Sequence, residues 1–287
     1  MKVQCFYGHK QRRDDTIYIV YSMSNSPYQE WQARLLEFSL EEVRQPGTIV
    51  RCIAEDPRYP GRGLPDFGDC GVTIPTEDFG KYANGYVSMN RPGGLKRLFE
   101  SLEFSPYSIM ICVDPDMIFT KPWVPEPAPG TLLGQRWIGY SQGYCRSTSY
   151  NKFHSSCPET EEGALMHPLC ARASDLQGMV ETYLEATSFV PNEWMVEMTA
   201  LVLAAKRNGL EILSDPSLGL CGDWPHADDE SAPILHYCQP ILDHGGEQIW
   251  DKRSYKAFVT PPDPLAASNR VGRGVLGSLH RYIAASS

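Results

Sequence analysis

Two aspartates one residue apart, Asp114 and Asp116, follow the apolar run Ser108-Ile109-Met110-Ile111-Cys112-Val113. A continuous run of this kind reads as a central parallel strand. In an open α/β sheet, ligands bind at the C-terminal edge of such strands. Carboxylate oxygens presented there suit a hard divalent cation shared with a substrate diphosphate. The ion would neutralise the diphosphate and help it depart. Pro115 biases Asp114 toward extended geometry, which keeps the pair at the strand end. Two other readings share these residues. One is a structural turn. The other is a phosphatase that forms an aspartyl-phosphate, with the first carboxylate as nucleophile and the second as acid/base; that motif sits near a chain start, whereas a full β/α region precedes it here.

Further candidates lie on either side. His236 follows Ile234-Leu235 as Asp114 follows its own strand. If both strand ends open on one cleft, imidazole and carboxylates converge on one ion, and imidazole favours Mn²⁺ over Mg²⁺. The alternative is a buried, hydrogen-bonded histidine. Arg91 stands near a helix start, where a phosphate or acidic group binds well; it also reads as a solvated arginine beside a proline. Glu193 and Glu197 share a helix face, and one of them could steady a developing oxocarbenium ion. Glu197, between Val196 and Met198, is preferred, with Trp194 shaping the pocket around it. Lys252-Arg253 after Trp250 could close over a diphosphate. Ser22, in the polar stretch after the first strand, joins Arg91, Asp114, Lys252 and Arg253 as a candidate contact for the donor nucleotide. Trp123, Trp137, Tyr140 and Tyr144 could stack on an acceptor.

The elements that must position these residues alternate. Thr16–Tyr21 reads as a buried strand, Ser22–Asn25 as a polar loop, and Ser26 with Gln29 as a capping box ahead of Pro27. Tyr28, Trp31, Leu35 and Phe38 then recur at helical spacing. Thr48–Ile53 is a second strand. Residues 54–90, rich in Gly, Pro and Asp, read as one long irregular connection, and Pro92 opens a helix. Residues 122–163 read as loop. Two helices follow, one with a capping box at Ser174 and Gln177, the other capped by Asn192 and stopped by Asn208-Gly209. Short strands at Glu211–Leu213 and Ile234–Tyr237 and a helix near Val275–Ile283 complete the pattern, which is that of an α/β protein.

Composition narrows the function classes. The formal charge of −9 disfavours non-specific nucleic-acid binding, which needs a basic footprint. No run reaches the roughly 18 apolar residues of a membrane span. If Met1 is the natural start, a soluble cytoplasmic protein is expected. The nine cysteines form no C-x-x-C pair, so reduced, mostly buried thiols are expected. Cys145–Cys157 is a possible disulfide that nothing indicates.

Several stretches together resemble a known family. They are residues 26–32 (SPYQEWQ), 85–92 (GYVSMNRP), 114–122 (DPDMIFTKP), 167–168 (HP), 194–198 (WMVEM), 234–237 (ILHY) and 250–255 (WDKRSY). In this order they are similar to the catalytic domain of plant-type hydroxyproline O-arabinosyltransferases and the related peptidyl-serine galactosyltransferases. The resemblance implies a GT-A-like fold, with a Rossmann-like nucleotide-binding half continuous with an acceptor-binding half. It implies one catalytic domain over residues 1–287: a nucleotide-sugar half to about 125, an acceptor half to about 260, then a tail and helix. It further implies a UDP-sugar donor, Mn²⁺ or Mg²⁺ held by Asp114, Asp116 and His236, and transfer of a sugar, arabinose first, with retention. The family's membrane anchor has no counterpart here, and loops 54–80 and 135–165 do not match. The acceptor is therefore open: a peptide hydroxyl, a small molecule or a hydroxymethylated base in DNA. A module that binds a nucleotide-sugar or glycan without turnover is the non-catalytic alternative, and the intact Asp-x-Asp argues against it.

Overall fold

The computed structural model describes residues 16–83, 85, 87–136, 165–188, 196–215, 217–222, 229–257 and 259–286. The chain forms two compact units. One gathers the chain up to Ser26 with Gly47–Val113 and Pro125–Asp215; the other gathers Pro27–Pro46, Asp114–Val124 and Pro216–Ser287.

The first unit is built on a seven-stranded sheet. Its strands are β1 (Ile17–Ser24), β2 (Thr48–Ala54), β3 (Val72–Thr76), β4 (Ile109–Val113), β6 (Thr131–Arg136), β7 (Leu165–Arg172) and β8 (Glu211–Asp215), while β5 (Met117–Phe119) belongs to the second unit. The order is β3-β2-β1-β4-β7-β6-β8. The pairs β2/β3, β1/β2, β1/β4 and β6/β8 are parallel, and β7 alone runs against its neighbours. Every residue of β4 is buried, as its unbroken apolar run requires for a strand covered on both faces. Helices α2 (Asn90–Ser101), α3 (Ala173–Ser188) and α4 (Val196–Arg207) belong to this unit, with α3 packed on both α2 and α4. Leu98, Met110, Leu132, Leu176 and Leu201 lie in one core cluster.

In the second unit, β5, β9 (Gly219–Cys221) and β10 (Ile234–His236) form a sheet in the order β5-β10-β9. A hairpin joins β11 (Ile241–Leu242) to β12 (Gln248–Trp250). Helix α1 (Pro27–Glu42) packs on β5 and on α5 (Arg270–Ser286), and α5 packs on β10. Trp31, Leu35, Ile118, Leu235, Trp250 and Leu276 share its core.

The mixed α/β fold with a mostly parallel central sheet is the one expected. Local differences have physical reasons. Strand β1 continues to Ser24, so Ser22 is in a strand rather than at the head of a loop. Residues 54–90 contain an edge strand, β3, whose Val72-Thr73-Ile74-Pro75-Thr76 carries a proline that suits an edge position. Strand β6 lies inside the loop expected over 122–163, and β7 begins just after that stretch. Helix α2 starts at Asn90, two residues early, with Gly93 and Gly94 inside it. A Cβ on Gly93 would meet the Phe79 ring, and one on Gly94 would meet Ser22 Oγ. Close approach therefore justifies two residues that each cost a helix about 1 kcal/mol. Ser174 lies within α3 rather than ahead of it, and its hydroxyl donates to Pro106 O at 3.0 Å. Gly209, at φ +72°, stops α4 as expected.

The expectation of reduced thiols fails at Cys70, which is disulfide-bonded. Pairing depends on which sulfurs the fold brings together, and residue spacing did not reveal that. Cys52, Cys112, Cys170, Cys221 and Cys238 form no disulfide. Cys145 and Cys157 lie outside the described residues. Among the described residues, no helix is long and apolar enough to cross a membrane.

Candidate metal centre

The backbone at Asp114-Pro115-Asp116 forms a turn, as one of the sequence readings has it. Asp114 O accepts from Met117 N at 3.2 Å, closing a four-residue turn with aspartate first and proline second, the positions each favours. This turn joins the end of β4 to β5. Strand β5 then pairs antiparallel with β10, with His236 opposite Met117, and Tyr237 N donates to Asp116 O at 3.1 Å. Strand register therefore delivers the imidazole to the two carboxylates. His236 Nε2 lies 3.3 Å from Asp116 Oδ2 and 3.9 Å from Asp114 Oδ2.

A fourth group arrives from beyond β12. Lys252 Nζ donates to Asp116 Oδ2, and only 10% of the Lys252 side chain is exposed. An aromatic cluster shares this unit. Trp31 stacks on Tyr237 with centroids 6.1 Å apart, and Trp250 and Tyr255 meet Trp31 edge-on at 6.3 and 5.2 Å. The ammonium stands 5.9 Å from the Tyr237 ring centroid, within cation–π range.

Burial opposes ionisation of Asp116, but Lys252 and His236 outweigh it and hold its carboxyl well below the usual range. Burial likewise opposes the charged forms of Lys252 and His236. Asp116 outweighs it for Lys252, whose pKa rises. Cys238, Asp116 and Asp114 together push His236 up to about 9. The hydrogen bond from Cys221 holds Cys238 down to about 7 against burial.

Ligand atoms of Asp114, Asp116 and His236 all lie within 4.8 Å of one another. Donors on one ion of Mg²⁺ or Mn²⁺ size stand no more than roughly 4.5 Å apart. The three are therefore gathered at about the spacing an ion requires, and two oxygens with one imidazole are a donor set that Mn²⁺ accepts.

Other candidates sit elsewhere. Arg253 is turned to Asp251 Oδ1 at 3.3 Å and Cys238 O at 3.1 Å. Trp123 has its backbone pinned by the Gln45 amide, which donates to its carbonyl and accepts from its N–H, each at 2.7 Å. In the first unit, Arg91 donates to the buried carboxylate of Glu197, and Ser22 packs against Gly94. Asn192, Glu193, Trp194, Trp137, Tyr140 and Tyr144 lie outside the described residues.

Sequence reasoning missed Cys221 and Cys238. A second cluster of possible ligands joins them to His236. Cys221 faces His236 across the parallel β9/β10 pair, and Cys238 follows His236 by two residues. A scan for closely spaced cysteines passes over partners that are 17 residues apart. The visible signal was only His236-x-Cys238 after a short apolar strand.

No family model matches the sequence, and no curated protein is significantly similar to it. Solved structures do share its fold. The galactosyltransferase LgtC, solved with donor and acceptor sugar analogues, aligns with a TM-score of 0.54 at 11% identity over 92% of this chain and 95% of its own. The glycosyltransferase GlyE of Streptococcus pneumoniae TIGR4 aligns at 0.52 and 11% over 94% of this chain and 64% of its own. The bifunctional glycosyltransferase WbbM aligns at 0.50 and 10% over 96% of this chain and 51% of its own. At such identity the likeness establishes the fold, the GT-A type of these glycosyltransferases.

Proposed function

We propose that this chain is a metal-dependent glycosyltransferase that moves a sugar from a UDP-sugar to a hydroxyl acceptor. The observation that carries the reading is the convergence of Asp114, Asp116, His236 and Lys252 in a chain of GT-A fold. Fold alone does not define activity. The proposal therefore rests on the site.

Asp114, Asp116 and His236 would hold the ion, Mn²⁺ before Mg²⁺. When bound, the ion supplies a Lewis acid that neutralises the departing diphosphate. Lys252 is already held beside Asp116 as a cation. On donor binding it exchanges that carboxylate for a phosphate oxygen, so its charge meets the leaving group without a long search. The packed aromatic residues around Tyr237 limit water near the ammonium and strengthen that interaction. Arg253 adds a second, weaker contact by leaving Asp251. In the first unit, Glu197 can steady positive charge on a sugar only when Arg91 turns to another anion, such as a donor phosphate; Ser22 is assigned to the nucleotide on pattern alone.

The resemblance to hydroxyproline O-arabinosyltransferases supports arabinose as the sugar, ahead of galactose and glucose, and retention of configuration. It supports a peptide hydroxyl as acceptor, with a small molecule or a modified DNA base as the other classes. Calorimetric titration of UDP with and without Mn²⁺ tests the core of the reading. We expect UDP to bind at least about tenfold more tightly with the ion, by analogy with the loss from disturbed metal sites. Equal affinity in the presence of chelator rejects it. A screen of UDP-sugars for metal-dependent hydrolysis then separates enzyme from binding module and pentose from hexose.

A further inference from the structure

We propose that Cys221, His236 and Cys238 form a second cation site, for a thiolate-seeking ion of the Zn²⁺ or Cd²⁺ class, which draws on the same imidazole as the carboxylate site. Ligand atoms of these three residues all lie within 4.8 Å of one another. The fold builds the cluster from two neighbouring strands. Cys221 ends β9 directly opposite His236, the last residue of β10, and Cys238 lies two residues beyond that strand end, with its sulfur against that of Cys221. The two sulfurs are 3.2 Å apart, whereas thiolates on one tetrahedral zinc at 2.3 Å stand about 3.7 Å apart. A shift of roughly half an ångström converts one arrangement into the other.

The imidazole supplies an independent pointer. Nδ1 of His236 is buried and has no hydrogen-bond partner, although the residue is only 6% exposed. Buried polar atoms are nearly always satisfied, and a histidine in a metal site has its second nitrogen fixed by a partner. The chemistry of the set, two sulfurs and one nitrogen, selects soft over hard ions. Three protein ligands leave a fourth position open, so the ion should exchange rather than act as a permanent staple.

The two sites exclude one another. A neutral imidazole has one lone pair for a metal and carries a proton on its other nitrogen. An ion held by Cys221, Cys238 and His236 therefore leaves the imidazole no lone pair for an ion at Asp114 and Asp116, whichever nitrogen it takes. Binding of the soft ion stands apart from the glycosyltransferase reading. Only the competition rests on the proposed carboxylate site.

The test uses the full chain, stripped with chelator and kept free of oxygen, with Cd²⁺ as the probe. One equivalent should raise the ultraviolet thiolate-to-cadmium absorption band. Cys238→Ser should weaken binding by at least about tenfold, and Asp114→Asn should leave the band in place. If Cys238→Ser does not fold, alkylation of wild-type Cys238 followed by mass spectrometry replaces it, and Cd²⁺ should slow the reaction at least about tenfold. An unchanged band in the Cys221→Ser/Cys238→Ser double variant, or unslowed alkylation, rejects the site. Mn²⁺ binding is then read by electron paramagnetic resonance with and without Cd²⁺. A fall in Mn²⁺ affinity of about tenfold or more supports the shared imidazole, and an unchanged affinity rejects it. Cd²⁺ bound by thiolates in a chain that takes up no Mn²⁺ would sustain this site while removing the carboxylate one.

Discussion

Arg91–Glu197 and Lys252–Asp116 each set a base against a buried carboxylate, yet they differ in kind. Glu197 is 2% exposed and faces a planar guanidinium that is 26% exposed, a group that stays charged and holds a carboxylate rigidly. Asp116 is crowded instead. A second carboxylate, Asp114, stands beside it, and both an ammonium and an imidazole face the pair. Two negative groups thus meet one fixed cation and one histidine that burial disfavours but its neighbours charge. That is the charge a divalent ion would bring. The first sets one carboxylate against one guanidinium, whereas the second gathers an ammonium and an imidazole around Asp116. The contrast teaches that burial and pairing alone do not mark a site. What sets Asp114 and Asp116 apart is that two carboxylates and an imidazole are gathered within reach of one another.

The largest expected effect comes from breaking the crowded pair. Asp116→Ala should weaken Mn²⁺-dependent UDP binding by more than about 100-fold, beyond the range seen for loss of an outer-shell partner. It should also lower the unfolding midpoint, because Lys252 is left buried without a carboxylate, at a cost of about 3–5 kcal/mol. Adding Lys252→Met should restore most of the stability and none of the UDP binding. Calorimetry and urea unfolding on the same three proteins read both quantities. Recovery of UDP binding in the double variant would make the pair structural.

Breaking that counterpart should do less. Glu197→Gln leaves Arg91 partly solvated, so we expect roughly 1–3 kcal/mol of lost stability, below the figure for a fully buried pair. The Arg91→Met/Glu197→Gln double variant should lie closer to wild type than the sum of the singles. If Glu197 also acts on the sugar, turnover in Glu197→Gln should fall by more than about tenfold while Mn²⁺ affinity holds. Turnover within a few-fold of wild type would confine the pair to stability.

The same contrast explains how much was legible in the sequence. Strands β1 and β4 declare themselves through unbroken apolar runs, β2 through Ile49-Val50 and Cys52-Ile53 on either side of Arg51, and α1 and α3 through helical spacing, because burial on this scale needs many apolar residues in sequence. Strands β5, β9 and β10 are three residues each, too short for any period to show. Of these, only β10 was seen, from Ile234-Leu235 next to a histidine. Asp114 and Asp116 were legible because β4 points at them. His236 was expected beside them, from its place after Ile234-Leu235 and from the family resemblance, and its ring nitrogen does lie near both carboxylates, but the pairing of β5 with β10 that brings it there was not legible. Cys221 was invisible for the same reason. Ser22 was misplaced by one local judgement: polar residues at a strand end read as loop, yet Ser22 packs against a glycine in α2 that exists to admit it.

The smallest effect is expected at Arg253, and it sharpens the comparison most. Lys252 and Arg253 are adjacent and both basic, but their side chains are 10% and 54% exposed. The exposed guanidinium donates to Asp251 and to the Cys238 carbonyl. Water can replace it at both acceptors, so Arg253→Ala should change stability by no more than about 0.5 kcal/mol, as for most surface substitutions. Any effect should therefore be confined to the ligand. If Arg253 reaches the diphosphate, UDP affinity with Mn²⁺ should fall roughly three- to tenfold, the equivalent of about 0.7–1.4 kcal/mol and within the net range of a single hydrogen bond. Mn²⁺ affinity without UDP should not move, because Arg253 is not among the gathered ligands. The two titrations separate the outcomes. A loss in both would mean that Arg253 works through the Cys238 carbonyl and hence through the strand that carries His236. A loss in neither would leave Lys252 as the basic residue of this pair that meets the donor.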